Sequence, residues 1–238
     1  MEKAAAGEQM MSSRSRILGR IRHNLGRGPL SAEKAAELKT RIEEHRPNLV
    51  PKRTEISPAA QVDLFQAKAE ALGATVTRLS SLDAVPEAVS RYLSDHNLAT
   101  KIKMSPEAAL DALPFDQTPM LDITRGAATA EDDVSLTPAF AGIAETGTLC
   151  LASGPDTPST LNFLPENHIV LLRRSQIIGT MEESWARLRA KYGAGNLPRT
   201  LNLISGPSRT ADIEQTLIMG AHGPRRLHIL IVDDAEKD

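Results

Sequence analysis

The sequence predicts an α/β fold, with a Rossmann-like, mostly parallel sheet covered by helices and preceded by an N-terminal helical arm. Short β-rich runs alternate with helical segments along most of the chain. This alternation favours parallel strands, because parallel neighbours need long crossover connections and helices supply them. Prolines also cluster within residues 46–58. We therefore expect a basic helical arm over residues 1–53 and an α/β body over residues 54–238.

Two helices are predicted in the arm. Apolar residues from Ile17 to Leu25 recur at helical spacing between arginines, and a Gly-Arg-Gly-Pro stretch ends this helix at Pro29. Ser31 caps a second helix, which continues until Pro47.

The body is predicted to alternate helices and strands. An apolar helical pattern from Leu64 to Leu72 stops at Gly73, and Pro106 stands at the favoured first position of another helix. Further helices are expected at residues 81–95, 180–191 and 211–219. Strands are expected at residues 75–77, 101–104, 120–123, 148–152, 169–172, 201–204 and 227–232. Because ligands in such sheets bind at the carboxyl ends of strands, functional residues are expected just after strands.

The composition excludes several classes of protein. With 238 residues, 41% of them hydrophobic and 24% charged, the chain matches neither a disordered nor a membrane protein. The single cysteine, Cys150, cannot form an internal disulfide or hold an iron–sulfur cluster by itself, and its apolar surroundings predict an inert buried thiol. The longest apolar run falls far short of the roughly 20 residues that cross a bilayer, and no signal peptide is evident. We expect a cytoplasmic protein without a redox centre of its own.

Charge is distributed unevenly between the two regions. Residues 1–53 contain 12 Lys and Arg against 6 Asp and Glu, whereas the remaining residues carry a net charge of −8. The basic amphipathic arm is therefore predicted to pack on the acidic body or on a partner. Binding to nucleic acid or to an anionic membrane is the weaker alternative, and aromatic residues, 3% of the chain, offer little material for stacking bases.

The first candidate site follows the strand predicted at residues 201–204. Backbone N–H groups of a Gly/Ser loop that opens a helix form a cradle for anions, and Arg209 could bind phosphate or carboxylate in a bidentate manner. The structural alternatives are that Asp212 complements a helix dipole and that Arg209 forms an ion pair. The candidate ligand-binding residues here are Gly206, Pro207, Ser208, Arg209, Thr210 and Asp212.

Two further loops could contribute chemistry. Glu145 is followed by Thr146, Gly147 and Thr148, so that a carboxylate lies beside hydroxyl and amide groups, which suits ligand binding or nucleophilic chemistry. The alternative is an exposed turn glutamate beside β-promoting threonines.

The third loop contains His222 and Gly223 between Gly220 and Pro224, where an imidazole could act as acid, base or ligand, or form structural hydrogen bonds. His168 and His228 are interpreted as structural. No metal-type spacing links any of the six histidines.

Together these motifs resemble the LUD-domain family, specifically its lactate utilization protein C group. The resemblance covers about residues 60–233, and the start of the arm is also similar. It rests on the segments Ala144–Thr148, His168–Val170, Gly206–Glu214 and Gly220–Pro224. It implies a fold similar to that of glucosamine-6-phosphate deaminase, ribose-5-phosphate isomerase and class I CoA-transferases. It also implies a part in oxidising L-lactate to pyruvate beside two partner proteins that carry iron–sulfur clusters.

The CoA-transferases carry their catalytic glutamate in a Ser-Glu-Asn-Gly stretch, to which Ala144–Gly147 is similar. The match places that role on Glu145, with Gly147 also matching, while Ala144 and Thr146 depart from the pattern.

Three functional hypotheses follow. In the first, the three loops form a pocket for a small anion or nucleotide-like ligand, in which Arg209 fixes the anionic group while Glu145 or His222 moves a proton. In the second, the chain is a non-catalytic subunit that organises the iron–sulfur proteins through its arm and body. In the third, it is an independent enzyme acting on a CoA ester or sugar phosphate. A sheet edge or the arm could also support a homodimer.

Overall fold

A computed structural model describes residues 12–213 and 216–234, and gives the backbone alone for residues 211–213 and 216–218. The helices are α1 (Ser13–Asn24), α2 (Ala32–Glu44), α3 (Pro58–Ala71), α4 (Val85–Asp95) and α5 (Met181–Tyr192). The strands are β1 (Thr75–Leu79), β2 (Lys101–Met104), β3 (Asp122–Arg125), β4 (Val134–Pro138), β5 (Ala141–Ile143), β6 (Thr148–Ala152), β7 (Asn167–Arg173), β8 (Ile177–Ile178), β9 (Leu201–Ile204), β10 (Arg209–Ile213), β11 (Thr216–Met219) and β12 (Arg226–Val232). Among the described helices, none is both long and apolar enough to span a membrane.

The central feature is a six-stranded sheet in the order β1-β12-β7-β4-β2-β3, in which every pair of neighbours is parallel. The α/β fold class is therefore confirmed. Successive side chains of a strand point to opposite faces, and the central strand β7 shows this directly. Val170 and Leu172 pack towards α3, whereas Ile169 and Leu171 pack towards α4. Burial of each such side chain stabilises the fold by about 1.5–3 kcal/mol.

A second sheet has the order β8-β5-β6-β9, with antiparallel pairs at β5-β6 and β6-β9. It packs on the α3 face through residues that include Leu149 and Leu151, and on its other side it contacts α5 through Ile143 and Ile178. The predicted strands at 148–152 and 201–204 exist, but they pair with each other here rather than joining the parallel sheet.

Two predicted helices are wrong. Residues 209–213 and 216–219 form the antiparallel pair β10-β11, whose register joins Arg209 to Met219 and Thr210 to Ile218. This segment is rich in β-branched residues, which favour strands. After Pro106 there is only the short 3₁₀ turn Ala108–Leu110. The seven residues before Pro114 leave little room for a helix, because a proline disfavours helical geometry in the residue that precedes it.

The described chain divides into two units between Asn48 and Leu49. The first contains α1 and α2, begun by the side chains of Ser12 and Ser31, each of which accepts a hydrogen bond from a backbone N–H of the first turn. The second contains both sheets and the helices that pack on them. The division falls inside the proline-bearing segment 46–58, and the assignment of 1–53 and 54–238 as separate domains stays a prediction.

Candidate functional site

One cavity of about 200 Å³ brings together two of the three loops singled out in the sequence. We call it the loop cavity and define it by Asn162, Phe163, His168, Ser205–Ser208 and His222–Pro224. The predicted site residues Gly206, Pro207, Ser208, His222 and Gly223 are all part of its wall. Two segments separated by a strand pair in the chain therefore meet at one concave surface.

The loop cavity lies at an unexpected edge of the parallel sheet. His168 and Leu227 line it, and each is the second residue of its strand, β7 and β12 respectively. The cavity is therefore at the amino ends of these strands, and the expectation that the site residues would gather at the carboxyl ends is wrong for this group. The reason is that Ser205–Ser208 follow β9, a strand of the second sheet.

Hydrogen bonds fix the two loops against each other. The backbone N–H of His222 donates to Oγ of Ser208 over 3.3 Å, and the N–H of Ser208 donates to the carbonyl of Pro224 over 2.9 Å. The N–H of Gly220 donates to the carbonyl of Ser208 over 3.0 Å. Ser208 thus joins the loops through three bonds, and the wall of the cavity is preorganised.

His168 lines the cavity and has an unusual hydrogen-bonding state. The side chain is fully buried, and its Nε2 lies 2.7 Å from Oγ1 of Thr137. Its Nδ1 is buried without a hydrogen-bond partner among the described residues. Burial lowers the pKa of His168 to about 3, so the imidazole is neutral at pH 7. A buried polar atom without a partner costs about 1–3 kcal/mol, which a ligand bonded to it would recover.

Asn162 and Ser205 add further hydrogen-bonding groups. Asn162 is 94% buried, since only 6% of its surface is exposed, and it lines the cavity. Ser205 ends a chain of hydroxyls in which Oγ1 of Thr146, Oγ1 of Thr148 and Oγ of Ser205 are linked by two contacts of 2.7 Å. The predicted residues Thr146 and Thr148 therefore lie behind the cavity wall and orient Ser205.

Glu145 lies elsewhere. Its Oε1 is 3.3 Å from the guanidinium of Arg53, and its Oε2 accepts a hydrogen bond of 3.4 Å from the N–H of Met181, the first residue of α5. A carboxylate at that position is favourable because the N-terminus of a helix carries partial positive charge. Glu145 does not line the loop cavity. The structure therefore separates the two residues predicted to be catalytic, Glu145 and His222.

Gly147 and Gly206 allow two turns to approach α3 closely. A side chain on Gly147 would place its Cβ 2.5 Å from the backbone N of Ala69, and one on Gly206 would come within 2.5 Å of the carbonyl of Leu72. Both glycines also have positive φ values, 67° and 83°. Packing against α3 and backbone conformation thus account for the glycine at each position.

Arg209, Thr210 and Asp212 do not form the predicted anion cradle, because they lie on β10 and open no helix. The guanidinium of Arg209 donates to the carbonyl of Leu72, where α3 ends, which satisfies an otherwise unpaired helix carbonyl. Neither Arg209 nor Thr210 lines the loop cavity. The side chain of Asp212 lies outside what the structure describes.

The cavity residues that were not predicted from the sequence include Asn162, Phe163 and His168. An Asn beside an exposed Phe after a run of turn residues was an available signal for the first two. His168 gave no such signal, because a lone histidine at the start of an apolar strand has the pattern of a structural residue.

Metal-ligand geometry is not found in the described part of the chain, where no three His, Cys, Asp or Glu side chains cluster. Cys150 is buried beside Ser184, whose hydroxyl donates to Sγ over 3.5 Å. Burial raises the pKa of the Cys150 thiol, which keeps it protonated and unreactive at neutral pH.

Comparison with known proteins identifies relatives of this chain. The family model of the LUD domain matches residues 57–232. A protein of Shouchella clausii named lactate utilization protein C is 36% identical over 102 residues, which are 43% of this chain and 44% of the relative. A protein of the same name from Halalkalibacterium halodurans is 29% identical over 170 residues, 67% of this chain and 74% of the relative. The chain thus aligns with less than half the length of the first relative.

A solved structure has a similar fold. It is the crystal structure of a DUF162 family protein from Deinococcus radiodurans, which is 26% identical in sequence and superposes with a TM-score of 0.56. The similarity covers 74% of this chain and 99% of the other.

Proposed function

The chain belongs to the LUD domain family, and from that premise we propose that it is the ligand-binding component of a lactate-utilization system. In this proposal it supports the oxidation of L-lactate to pyruvate together with iron–sulfur partner proteins. The relatives named lactate utilization protein C support a role in such a system. The single cysteine supports the assignment of electron transfer to partner proteins, because an iron–sulfur cluster needs several cysteine ligands.

The main support for the proposal is the loop cavity and its residue His168, whose Nδ1 has no hydrogen-bond partner among the described residues. L-Lactate presents a carboxylate and a hydroxyl, each of which needs a hydrogen-bond partner when buried. The cavity offers His168, Asn162 and the hydroxyls of Ser205 and Ser208 for this purpose. Neutral His168 can accept a hydrogen bond from the hydroxyl of the ligand or donate one to its carboxylate, according to its tautomer.

The size of the cavity favours a small acid. Its volume of about 200 Å³ is below the roughly 300–1,000 Å³ of sites for drug-sized ligands. A three-carbon hydroxy acid suits this space better than a dinucleotide or a CoA ester does. His222, exposed at the rim, can donate a hydrogen bond to an entering carboxylate.

The test is calorimetric titration of the full chain with L-lactate and with pyruvate. Ser208→Ala and His222→Ala should each weaken binding by about threefold to tenfold, as expected for the loss of one hydrogen bond. His23→Ala is the matched control, since His23 is an exposed residue of α1. Absence of saturable heat with both acids, or equal affinity in all three variants, would contradict the proposal.

The arm supplies the surface proposed for the partner proteins. Ile17, Ile21 and Leu25 are 57%, 48% and 58% exposed. The first two lie on α1 and Leu25 directly follows it, and α1 also carries four arginines and no acidic residue. A basic helix with an exposed apolar stripe fits an acidic protein surface that has an apolar groove.

The alternative of an independent enzyme for CoA esters or sugar phosphates depends on a catalytic glutamate. Glu145 is bonded to Arg53 and to the start of α5, and no contact in the described structure favours nucleophilic chemistry there. Glu145→Gln provides the discriminating measurement, because CoA-ester turnover that this variant abolishes would support the enzyme instead.

A further inference from the structure

A second cavity, of about 320 Å³, lies at the opposite edge of the parallel sheet. Its wall includes Glu107, which follows β2, the segment Pro138–Phe140 at the end of β4, and Gln176, which follows β7. The wall also includes Asp156 and Thr157, and Lys191 and Tyr192 of α5. We call it the switch-point cavity, and none of its residues belongs to the motifs singled out in the sequence.

The cavity lies where the order of the strands in the sheet changes direction. β3 follows β2 in the chain and lies beside it on one side. The next strands of the parallel sheet, β4, β7 and β12, lie on the other side, each further from β2 than the one before. The strand order therefore reverses between β2 and β4. In open α/β sheets, ligands bind in the crevice outside the carboxyl ends of the strands at such a reversal.

The walls of this cavity are held by side-chain hydrogen bonds. Nε2 of Gln176 donates to the carbonyl of Ala139 over 2.9 Å, and its Oε1 accepts from the N–H of Arg173 over 2.8 Å. These bonds join the ends of β4 and β7. The buried hydroxyl of Ser105, the residue after β2, donates to the carbonyl of Asp156 and holds the loop at residues 153–157 in place. The cavity is thus preorganised, and the side chains of Gln176 and Ser105 are already paired.

Three charged side chains line the wall, the acids Glu107 and Asp156 and the base Lys191. None of them forms an ion pair within the chain as described. The ammonium of Lys191 lies 5.4 Å from the ring centre of Phe140 and 5.5 Å from that of Tyr192, which positions it by cation–π attraction. A ligand that pairs with both Lys191 and Glu107 needs an anionic group for the lysine and a hydrogen-bond donor for the glutamate.

We infer that the switch-point cavity binds a small carboxylic acid that carries a hydroxyl or an ammonium group on the carbon next to the carboxylate. The carboxylate pairs with Lys191, and the neighbouring donor pairs with Glu107. Hydroxy acids and amino acids share this chemistry, and the test separates them. The site is distinct from the loop cavity and does not depend on it.

The test is a titration of the ¹⁵N-labelled full chain with L-lactate, L-alanine and propionate, followed through backbone amide resonances. The three acids have the same carbon number, and propionate alone lacks the donor. The inference predicts saturable shifts at Phe140 and Thr157 with L-lactate or L-alanine, and at least about tenfold weaker binding of propionate. Whichever of L-lactate and L-alanine binds more tightly identifies the ligand class, hydroxy acid or amino acid. Equal binding of propionate would overturn the inference, as would the absence of shifts at both amides with both donor-bearing acids.

Variants test the two charges. Lys191→Met should weaken binding at least about tenfold, whereas Lys101→Met, which removes an exposed lysine at the amino end of β2, should leave it unchanged. Glu107→Gln should weaken L-alanine more than L-lactate, since it removes the partner of a charged ammonium. Unchanged affinity in Lys191→Met would overturn the inference.

The same spectra separate this site from the loop cavity. Shifts at Ser208 and Gly223 without shifts at Phe140 and Thr157 would overturn the inference and leave the loop-cavity proposal standing. Shifts at Phe140 and Thr157 alone would support the inference and contradict the loop-cavity proposal.

Discussion

At the scale of single residues, the parallel sheet contains two buried histidines, His168 and His228. Nδ1 of His228 lies 2.7 Å from Oγ1 of Thr75, and its ring stacks on Tyr92 with ring centres 4.5 Å apart. His168 bonds to Thr137 on the neighbouring strand β4. Burial lowers the pKa of His168 to about 3, and burial together with the nearby His96 lowers the pKa of His228 to about 4. Both side chains are therefore neutral in the folded protein at pH 5.

These pKa values predict acid sensitivity. Each histidine has a pKa near 6.5 when unfolded, so below that pH the unfolded chain binds protons that the folded chain does not. The free energy of unfolding should therefore fall as the pH drops from 6.5 towards 4, and by pH 5 it should be lower by on the order of 2 kcal/mol for each histidine. Urea unfolding between pH 7.5 and pH 5 measures this. His228→Gln should reduce the pH dependence and His23→Gln should not, and identical dependence in His228→Gln and the unmodified chain would contradict the assignment.

Gly147 allows a prediction about close packing with a matched control. Gly147→Ala places a methyl group 2.5 Å from the backbone of α3, whereas Gly195→Ala meets nothing within 4 Å, and both positions have positive φ. The two variants share backbone strain of about 1–2 kcal/mol, and the clash should cost Gly147→Ala about 1–3 kcal/mol more. Denaturant midpoints measure the difference. Equal destabilisation would show that α3 does not constrain the turn.

Single residues also show the limits of prediction from sequence. Gly206, Ser208, His222 and Gly223 could be singled out because loop residues of these types punctuate the chain visibly. The contact of Arg209 with Leu72 could not, since it joins residues 137 positions apart. Local pattern does not specify a partner at that separation.

At the scale of elements, helices with a clear beginning and end were predictable. Ser31 begins α2 and Gly73 follows the end of α3 as expected, and α5 matches the helix predicted at residues 180–191. The antiparallel pair β10-β11 was missed because Thr210 and Asp212 have the composition of a helix start. Its β-branched residues favour strands, and the two strands pair with Arg209 opposite Met219.

The arm makes a prediction at this scale. Ile17→Ser, Ile21→Ser and Leu25→Ser together should abolish co-purification with the iron–sulfur partners, because they remove the exposed apolar stripe of α1. Thermal unfolding of the body should be unchanged, since the buried core clusters of the body contain no residue of α1. The control is Leu197→Ser, which changes an exposed leucine outside α1. Retained complex in the triple variant would contradict a docking role for α1.

At the scale of the whole molecule, the sequence predicted the parallel sheet but not the division of strands between two sheets. The runs at 148–152 and 201–204 are as apolar as those of the parallel sheet, yet they pair antiparallel with each other. Hydrophobic pattern predicts that a strand exists, whereas its partner depends on contacts between distant segments. This division places the loop cavity at the amino ends of β7 and β12, and the switch-point cavity at the carboxyl ends of β2, β4 and β7.

The most direct test of the account is a histidine side-chain ¹⁵N spectrum of the full chain titrated with L-lactate. The six histidines report from separate parts of the molecule: His23 and His45 from α1 and the end of α2, His96 and His228 from the α4 side of the sheet, and His168 and His222 from the loop cavity. Binding of L-lactate in the loop cavity should produce saturable shifts at Nδ1 of His168 and in the ring of His222, while the resonances of the other four histidines remain unchanged. A His168 ring that does not respond at saturating L-lactate would contradict it.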